Sequence, residues 1–291
     1  MIAQHPRKAA LFLLPAAAIY GLILLYPLIN SVRLSFTDSP AGGPGEWVGL
    51  QNYIEMFNDE QVIDALWRTV AYALVVCVMQ NAIGLALARA LFTRPRAQRV
   101  YSVLILLPML ISPLMAAFIW SAFYAPDGAI NTFLRDIGLD GLTRIWLGDP
   151  DTALWAIAVV NIWMFAGFSA AIFYAGYMNM PVELLDAARI DGAGGFRRFT
   201  NIEWPLLAPS LTVNVTLSLI GSLKVFEYPL VMTNGGPAES TTTLTILVYE
   251  KIFGGQGAFS YGVTIAVLLL VVVVIMSGLI NAVLRRREER I

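Results

Sequence analysis

The chain has 291 residues, of which 58% are hydrophobic and 13% charged, with a formal net charge of −1. Soluble domains run at about 45–50% apolar and about 25% charged, so the bilayer is the expected solvent, and the near-neutral balance supplies no field for nucleic acid. A single cysteine, Cys77, and a single histidine, His5, exclude an internal disulfide, zinc sites and histidine-dependent catalytic triads.

A spanning helix needs about 20 mainly apolar residues. Six stretches meet that length between charged residues: Ala9–Ser31, Thr69–Ala88, Val100–Pro126, Thr152–Met180, Trp204–Val231 and Phe253–Leu284. The first follows Arg7-Lys8, as a secretory signal peptide would. Its length, Pro15 and Pro27, and the lack of a small-x-small site before Arg33 predict an uncleaved span. The second carries Gln80 and Asn81 at depth, and the fourth carries Asn161; each suits an interhelical hydrogen bond or a ligand contact. The third contains Pro108 and Pro113 and ends on Trp120, Phe123 and Tyr124. With Trp146, Trp155 and Trp163 around the fourth, these aromatics are expected as interfacial belt residues.

The fifth stretch is interrupted by Lys224 and Glu227. An ionisable group at mid-bilayer costs at least about 2.5–3.5 kcal/mol, so such residues normally face protein or water. Three positions apart, they are able to pair on one helix face. They lie either beside a solute path, with Ser218, Ser222 and Tyr228 as hydroxyl contacts, or with Glu227 at the external interface and Lys224 snorkelling toward it. The sixth stretch includes Leu268–Met276, LLLVVVVIM, which has no polar face and is expected to meet lipid.

Six spans place both termini on one side. Arg7, Lys8, Arg89, Arg94, Arg96, Arg99, Arg189, Arg197, Arg198, Arg285, Arg286, Arg287 and Arg290 fall on one face. Arg33, Arg135, Arg144 and Lys251 fall on the other, with Arg68 at its edge. The excess of basic residues assigns the first face to the cytoplasm. The termini and Pro181–Pro209 are then cytoplasmic, and the acidic external residues Glu46, Glu55, Asp59, Glu60 and Asp127 are expected on solvated loops, with contact to a binding protein as the alternative.

Pro181–Pro209, PVELLDAARIDGAGGFRRFTNIEWPLLAP, is polar and sharply punctuated. Pro181 opens a helix well because it has no N–H to leave unpaired. Glu183–Ile190 is helix-forming, Asp191-Gly192 supplies a turn, and Phe196-Arg-Arg-Phe199 leads to Pro205 and Pro209. The expected form is helix, turn, helix on the membrane face. Leu184 and Leu185 are suited to anchor one helix face, and Ala187 and Ala188 let a second surface approach.

This segment resembles the cytoplasmic EAA loop of ABC importer permeases, in particular those for carbohydrate uptake. The match is carried by Asp186-Ala187-Ala188, Asp191-Gly192-Ala193, Phe199, Ile202, Pro205 and Pro209, with Asp186 where the family usually has Glu. Val48–Tyr53, then Pro108, Pro113, Trp120 and Asn131, then Thr233-Asn-Gly-Gly-Pro237 resemble further family features in the same order. The resemblance implies an all-α integral protein of the bacterial inner membrane with six transmembrane helices, both termini cytoplasmic and the type I ABC importer permease fold. It divides the chain into a first span with its external loop (1–64), a five-helix permease core with the coupling loop 181–209 (65–284), and a basic tail (285–291). It implies a second homologous permease, two cytoplasmic ATPase subunits and an external solute-binding protein as partners.

The chain has no Gly-x-x-x-x-Gly-Lys-Ser/Thr phosphate cradle, so energy for uphill transport must come through a partner or an ion gradient. The resemblance places ATP and magnesium in the partner ATPase, with no catalytic or metal site here. It makes Glu183, Asp186, Ala187, Ala188, Arg189, Asp191, Gly192 and Ala193 the coupling residues. Asn81, Asn161, Ser222, Lys224, Glu227 and Tyr228 are the candidates for the solute path. The cargo is expected to be a sugar or sugar-like solute. A glycerophosphodiester cargo, or an ion-coupled transporter using Lys224 and Glu227, are the competing readings.

Overall fold

The computed structural model describes residues 6–43, 45–93, 98–255 and 258–288, without the side chains of 6–12, 98, 99 and 189. His5, Arg94, Arg96 and Arg290 lie outside the described residues, as do the side chains of Arg7, Lys8, Arg99 and Arg189. The chain forms two compact units, Met1–Ile63 with Leu247–Val271, and Asp64–Ile246 with Val272–Ile291.

In the first unit, α1 (Pro6–Tyr20) and α2 (Tyr26–Leu34) are joined by a π-turn, Gly21–Leu25. The wide turn comes just before Pro27, which cannot donate into the helix ladder. Leu13–Leu34 is thereby one apolar helix of 22 residues. β1 (Thr37–Asp38) pairs antiparallel with β2 (Glu46–Trp47), and α3 (Gln51–Asn58) follows. Asn52 Nδ2 donates to the carbonyls of Ser35 and Thr37 at 2.9 and 3.0 Å, and Tyr53 shares a 2.7 Å hydroxyl bond with Ser35. The Val48–Tyr53 motif thus clamps the ribbon to the end of α2.

The second unit is built on α4 (Glu60–Thr93), α5 (Gln98–Leu106), α6 (Pro113–Phe123), α7 (Ala129–Asp136) and α8 (Pro150–Met178). There follow α9 (Val182–Ile190), α10 (Gly195–Arg198), α11 (Trp204–Leu206), α12 (Ala208–Leu223) and α13 (Glu227–Thr233), while α14 (Leu244–Phe253) and α15 (Phe259–Glu288) are each divided between the two units. Asp149 caps α8 by accepting from the Asp151 amide at 3.0 Å, and Pro150 takes the first helical position. The most apolar stretch of α8 is 67% buried, against 17% for α15, so α8 is a central helix and much of α15 is left for lipid. Small residues allow this. A Cβ on Gly167 would lie 2.0 Å from the Ile105 carbonyl oxygen, and one on Gly84 would lie 2.6 Å from Ser169 Cβ.

Among the described residues four helices are long and apolar enough to cross a membrane, or up to six if each bent pair is one span. The third and fifth stretches form the two bent pairs. Val100–Leu110 and Pro113–Phe123 meet at 96°. Pro113 forces Ser112 into extended backbone, where its hydroxyl caps α6 by accepting from the Met115 amide at 3.3 Å. Gly195–Leu206 and Ala208–Leu223 bend by 69° between Pro205 and Pro209.

Most of the aromatics expected in an interfacial belt also pack against protein. Trp120, Tyr124, Trp146 and Trp163 join one packed cluster, with Trp120 5.5 Å from Trp163 and 5.4 Å from Tyr124. Trp155 stays exposed. Asn131 organises the neighbouring loop. Its Nδ2 donates to the carbonyls of Pro126 and Arg144 at 3.1 and 2.9 Å, and its Oδ1 accepts from Trp146 Nε1 at 2.9 Å.

Candidate functional site

A cavity of about 400 Å³ opens within the second unit. Its α12 wall is Asn214, Leu217, Ser218, Gly221 and Ser222, spaced so that helical periodicity puts them on one face. Asn161, Phe165 and Phe168 form the α8 wall by the same spacing. Gln80 comes from α4, and Met109 and Pro113 come from the break before α6. Lys224, Glu227 and Tyr228 close it.

These last residues sit where α12 stops. Lys224 and Val225 make short i→i+3 bonds back to Gly221 and Ser222, both at 3.3 Å. The Val225 carbonyl then accepts from Thr243 Oγ1 at 3.4 Å and from Thr245 Oγ1. The helix resumes at Glu227, so Lys224 and Glu227 do not share a helix face, as an unbroken fifth span would require. Among the described residues no ion pair joins them, and both are exposed at the cavity.

Of the six expected path residues, Asn161, Ser222, Lys224, Glu227 and Tyr228 line this cavity and Asn81 does not. Asn81 Nδ2 donates to the Cys77 carbonyl at 2.7 Å and to Ser218 Oγ at 2.8 Å, which makes it an interhelical tie. The lining amides are held by one bond each. Gln80 Nε2 donates to Ser169 Oγ at 2.9 Å, Asn161 Nδ2 to Tyr72 OH at 3.0 Å, and Asn214 Nδ2 to the Ser169 carbonyl at 3.1 Å. Their amide oxygens accept no hydrogen bond among the described residues. Asn214 was not singled out from sequence; its spacing with Ser218 and Ser222 was the available signal.

The 181–209 segment is the second region. The Ala193 amide bonds to the Ala188 carbonyl at 2.9 Å across Gly192, whose φ is +68°. This is a Schellman-type helix end, with glycine in the left-handed position that side chains resist. Leu185 packs with Phe173, Tyr177 and Leu207 and Ala188 is buried, while Leu184 points out, so the two leucines do not anchor one face together. Glu183, Asp186, Ala187 and Asp191 are also exposed. Ile190 and Phe196 are 87% and 80% exposed, which leaves two large apolar side chains in solvent beside the small ones.

Sequence reasoning passed over the segment's most buried charge. Glu203 is fully buried, with Arg198 Nε at 2.7 Å and Arg89 Nε at 3.2 Å from its carboxylate. An acidic residue inside an apolar run-in to a span was the signal.

Residues 80–290 match the family described as the binding-protein-dependent transport system inner membrane component. The chain is 32% identical over 281 residues to the probable ABC transporter permease protein YurN of Bacillus subtilis, covering 95% of this chain and 96% of that one. It is 32% identical to the sulfoquinovosyl glycerol transport system permease protein SmoG of Agrobacterium fabrum, covering 96% and 91%. The fold matches a chain of a bacterial alginate ABC transporter solved with an alginate pentasaccharide-bound periplasmic protein. That match has a TM-score of 0.84 and 23% identity, and covers 98% of this chain and 97% of that one. The chain therefore belongs to the ABC importer permeases, the inner membrane components of binding-protein-dependent transport systems.

Proposed function

We propose that this chain is one membrane half of an ATP-driven importer of a sugar or sugar-like solute, with the cavity on its solute path and 181–209 docking a separate ATPase. The observation that carries the cargo class is the cavity wall. Gln80, Asn161 and Asn214 present amide groups with spare hydrogen-bonding capacity, next to Phe165, Phe168 and Tyr228. Sugars are bound by amide and hydroxyl networks with aromatic stacking, and about 400 Å³ is in the range of small-ligand sites. The named cargoes of SmoG and of the alginate transporter agree with that class.

In this reading each bent helix pair is one span, which makes six, and the basic residues hold both termini and 181–209 in the cytoplasm. The exposed Glu183, Asp186, Ala187, Asp191 and Ala193's loop, with the Gly192 turn, meet the ATPase, which holds ATP and magnesium. A second homologous permease, a second ATPase copy and an external binding protein complete the assembly.

The test is reconstitution in proteoliposomes with those partners and labelled solutes. The expected result is uptake that needs ATP and the binding protein, prefers carbohydrates, and falls at least about tenfold when Asn161 and Asn214 are both changed to Ala. Uptake by this chain alone, driven by an ion gradient, would overturn the reading.

A further inference from the structure

The Glu203 carboxylate gathers groups from three elements: Arg198 of α10, Arg89 of α4, and the Tyr177 hydroxyl of α8, which donates to it at 3.2 Å. Arg89 grips the same segment twice more. Its Nη2 donates to the Gly195 carbonyl at 2.7 Å, and its guanidinium lies 4.5 Å over the Phe199 ring. On the other side of the bend, Arg287 of α15 lies 4.6 Å over the Trp204 ring, and Thr212 Oγ1 donates to Glu288.

Taking a carboxylate out of water costs several kcal/mol unless its partners are well placed, so a buried ion cluster adds little net stability and chiefly fixes geometry. Apolar side chains slide over one another at little cost. The contact of α9 through Leu185 with Phe173, Tyr177 and Leu207 is of that kind. Glu203 instead accepts directional hydrogen bonds from Arg198 Nε at 2.7 Å and Tyr177 OH at 3.2 Å, and Arg89 adds an ion pair at 3.2 Å.

Their positions along the helices matter as well. Arg89 is nine residues from Gln80 on α4, and Tyr177 is nine from Phe168 on α8. Each is thus about 14 Å from a cavity wall along a single rigid helix.

We propose that Glu203 is the positioning residue that fastens 181–209 to α4 and α8, so that a displacement of α9 reaches the cavity walls instead of being absorbed by the short helices between Gly194 and Pro205. The proposal rests on the ATPase-coupling reading above.

The test uses the complete transporter in proteoliposomes and measures ATP hydrolysed per solute imported, together with assembly and basal hydrolysis. Glu203→Gln keeps the side-chain size and removes the charge. In the complexes that assemble it is expected to raise the ratio at least about tenfold, with basal hydrolysis per complex near wild type; assembly itself falls because Arg89 and Arg198 lose their carboxylate. Arg89→Gln is expected to act in the same direction, and the double variant to be no worse than either single one. Tyr177→Phe deletes one hydroxyl from the same carboxylate and keeps every charge. It should raise the ratio about threefold, and it decides the matter should Glu203→Gln fail to assemble. A wild-type ratio in Glu203→Gln, or in Tyr177→Phe where the former does not assemble, overturns the proposal, as do additive losses in the double variant. Import by the wild-type complex without ATP hydrolysis would instead sink the coupling reading, and this proposal with it.

Discussion

Replacing Gly167 with alanine tests the packing that shapes the cavity. The added Cβ would lie 2.0 Å from the Ile105 carbonyl oxygen, 2.8 Å from its carbon and 3.2 Å from Ile105 Cγ2. A carbon–oxygen contact settles at about 3.3 Å, so α5 and α8 must part by about 1.3 Å. The obstacle is backbone, and no rotamer change relieves it. On α8 the neighbours Ala166 and Ala170 are themselves buried, so the yielding element is α5. Overpacking of this kind costs about 1–3 kcal/mol. Scaled to a chain of this length, the expected fall in thermal midpoint is about 2–10 °C. The assay is thermal unfolding of the purified protein in detergent, with Gly221→Ala as control. Gly221 is on α12 with nothing within 4 Å of its Cβ position, so alanine there costs no packing. It should gain about 0.5–1 kcal/mol of helix stability. Equal midpoints for Gly167→Ala and wild type, or an equal loss in Gly221→Ala, would refute the argument. Because α5 leads into Met109 and Pro113, Gly167→Ala should also slow uptake beyond what its lower protein yield explains.

At Gly192 the constraint is torsional, since φ is +68° and nothing lies within 4 Å of a Cβ. Asparagine, which tolerates this region, should preserve uptake. Valine should abolish it at normal membrane insertion, with a strain of about 1–2 kcal/mol. Asn131→Asp removes both donors from the Pro126 and Arg144 carbonyls in a nearly fully buried side chain. A loss of about 2 kcal/mol or more should show as faster proteolysis between 137 and 149, and unchanged proteolysis would count against the role assigned to Asn131. Lys224→Met and Glu227→Gln should change uptake kinetics while leaving stimulation of hydrolysis by the binding protein intact. Loss of that stimulation would place both residues outside the solute path.

Much of the fold was legible because it follows from local rules. Lengths of apolar sequence set the spans, and Asp191-Gly192 marked a helix end through left-handed backbone. The short polar motif Val48–Tyr53 resembled the family's, and its purpose emerged when Asn52 and Tyr53 were found tied to Ser35. The site was legible in part. Five of the six residues singled out from sequence as path candidates line one cavity. Asn81 is the sixth and is an interhelical tie, because the hydroxyl that answers it, Ser218, lies 137 positions away in sequence.

The amino-acid sequence by itself determined the solvent of this protein, the number of apolar stretches and the punctuated 181–209 segment. Those properties depend on composition and on neighbours within a few residues. The tertiary structure alone decided which way a broken helix turns and what a buried charge meets. It bent the third stretch at Ser112 so that Trp120 points into protein. It parted Lys224 from Glu227 by ending α12 early. It also brought Arg89, Tyr177 and Arg198 to Glu203. An ion inside a low-dielectric interior is stable only with partners at hydrogen-bond distance, and most of those partners come from helices distant in the chain.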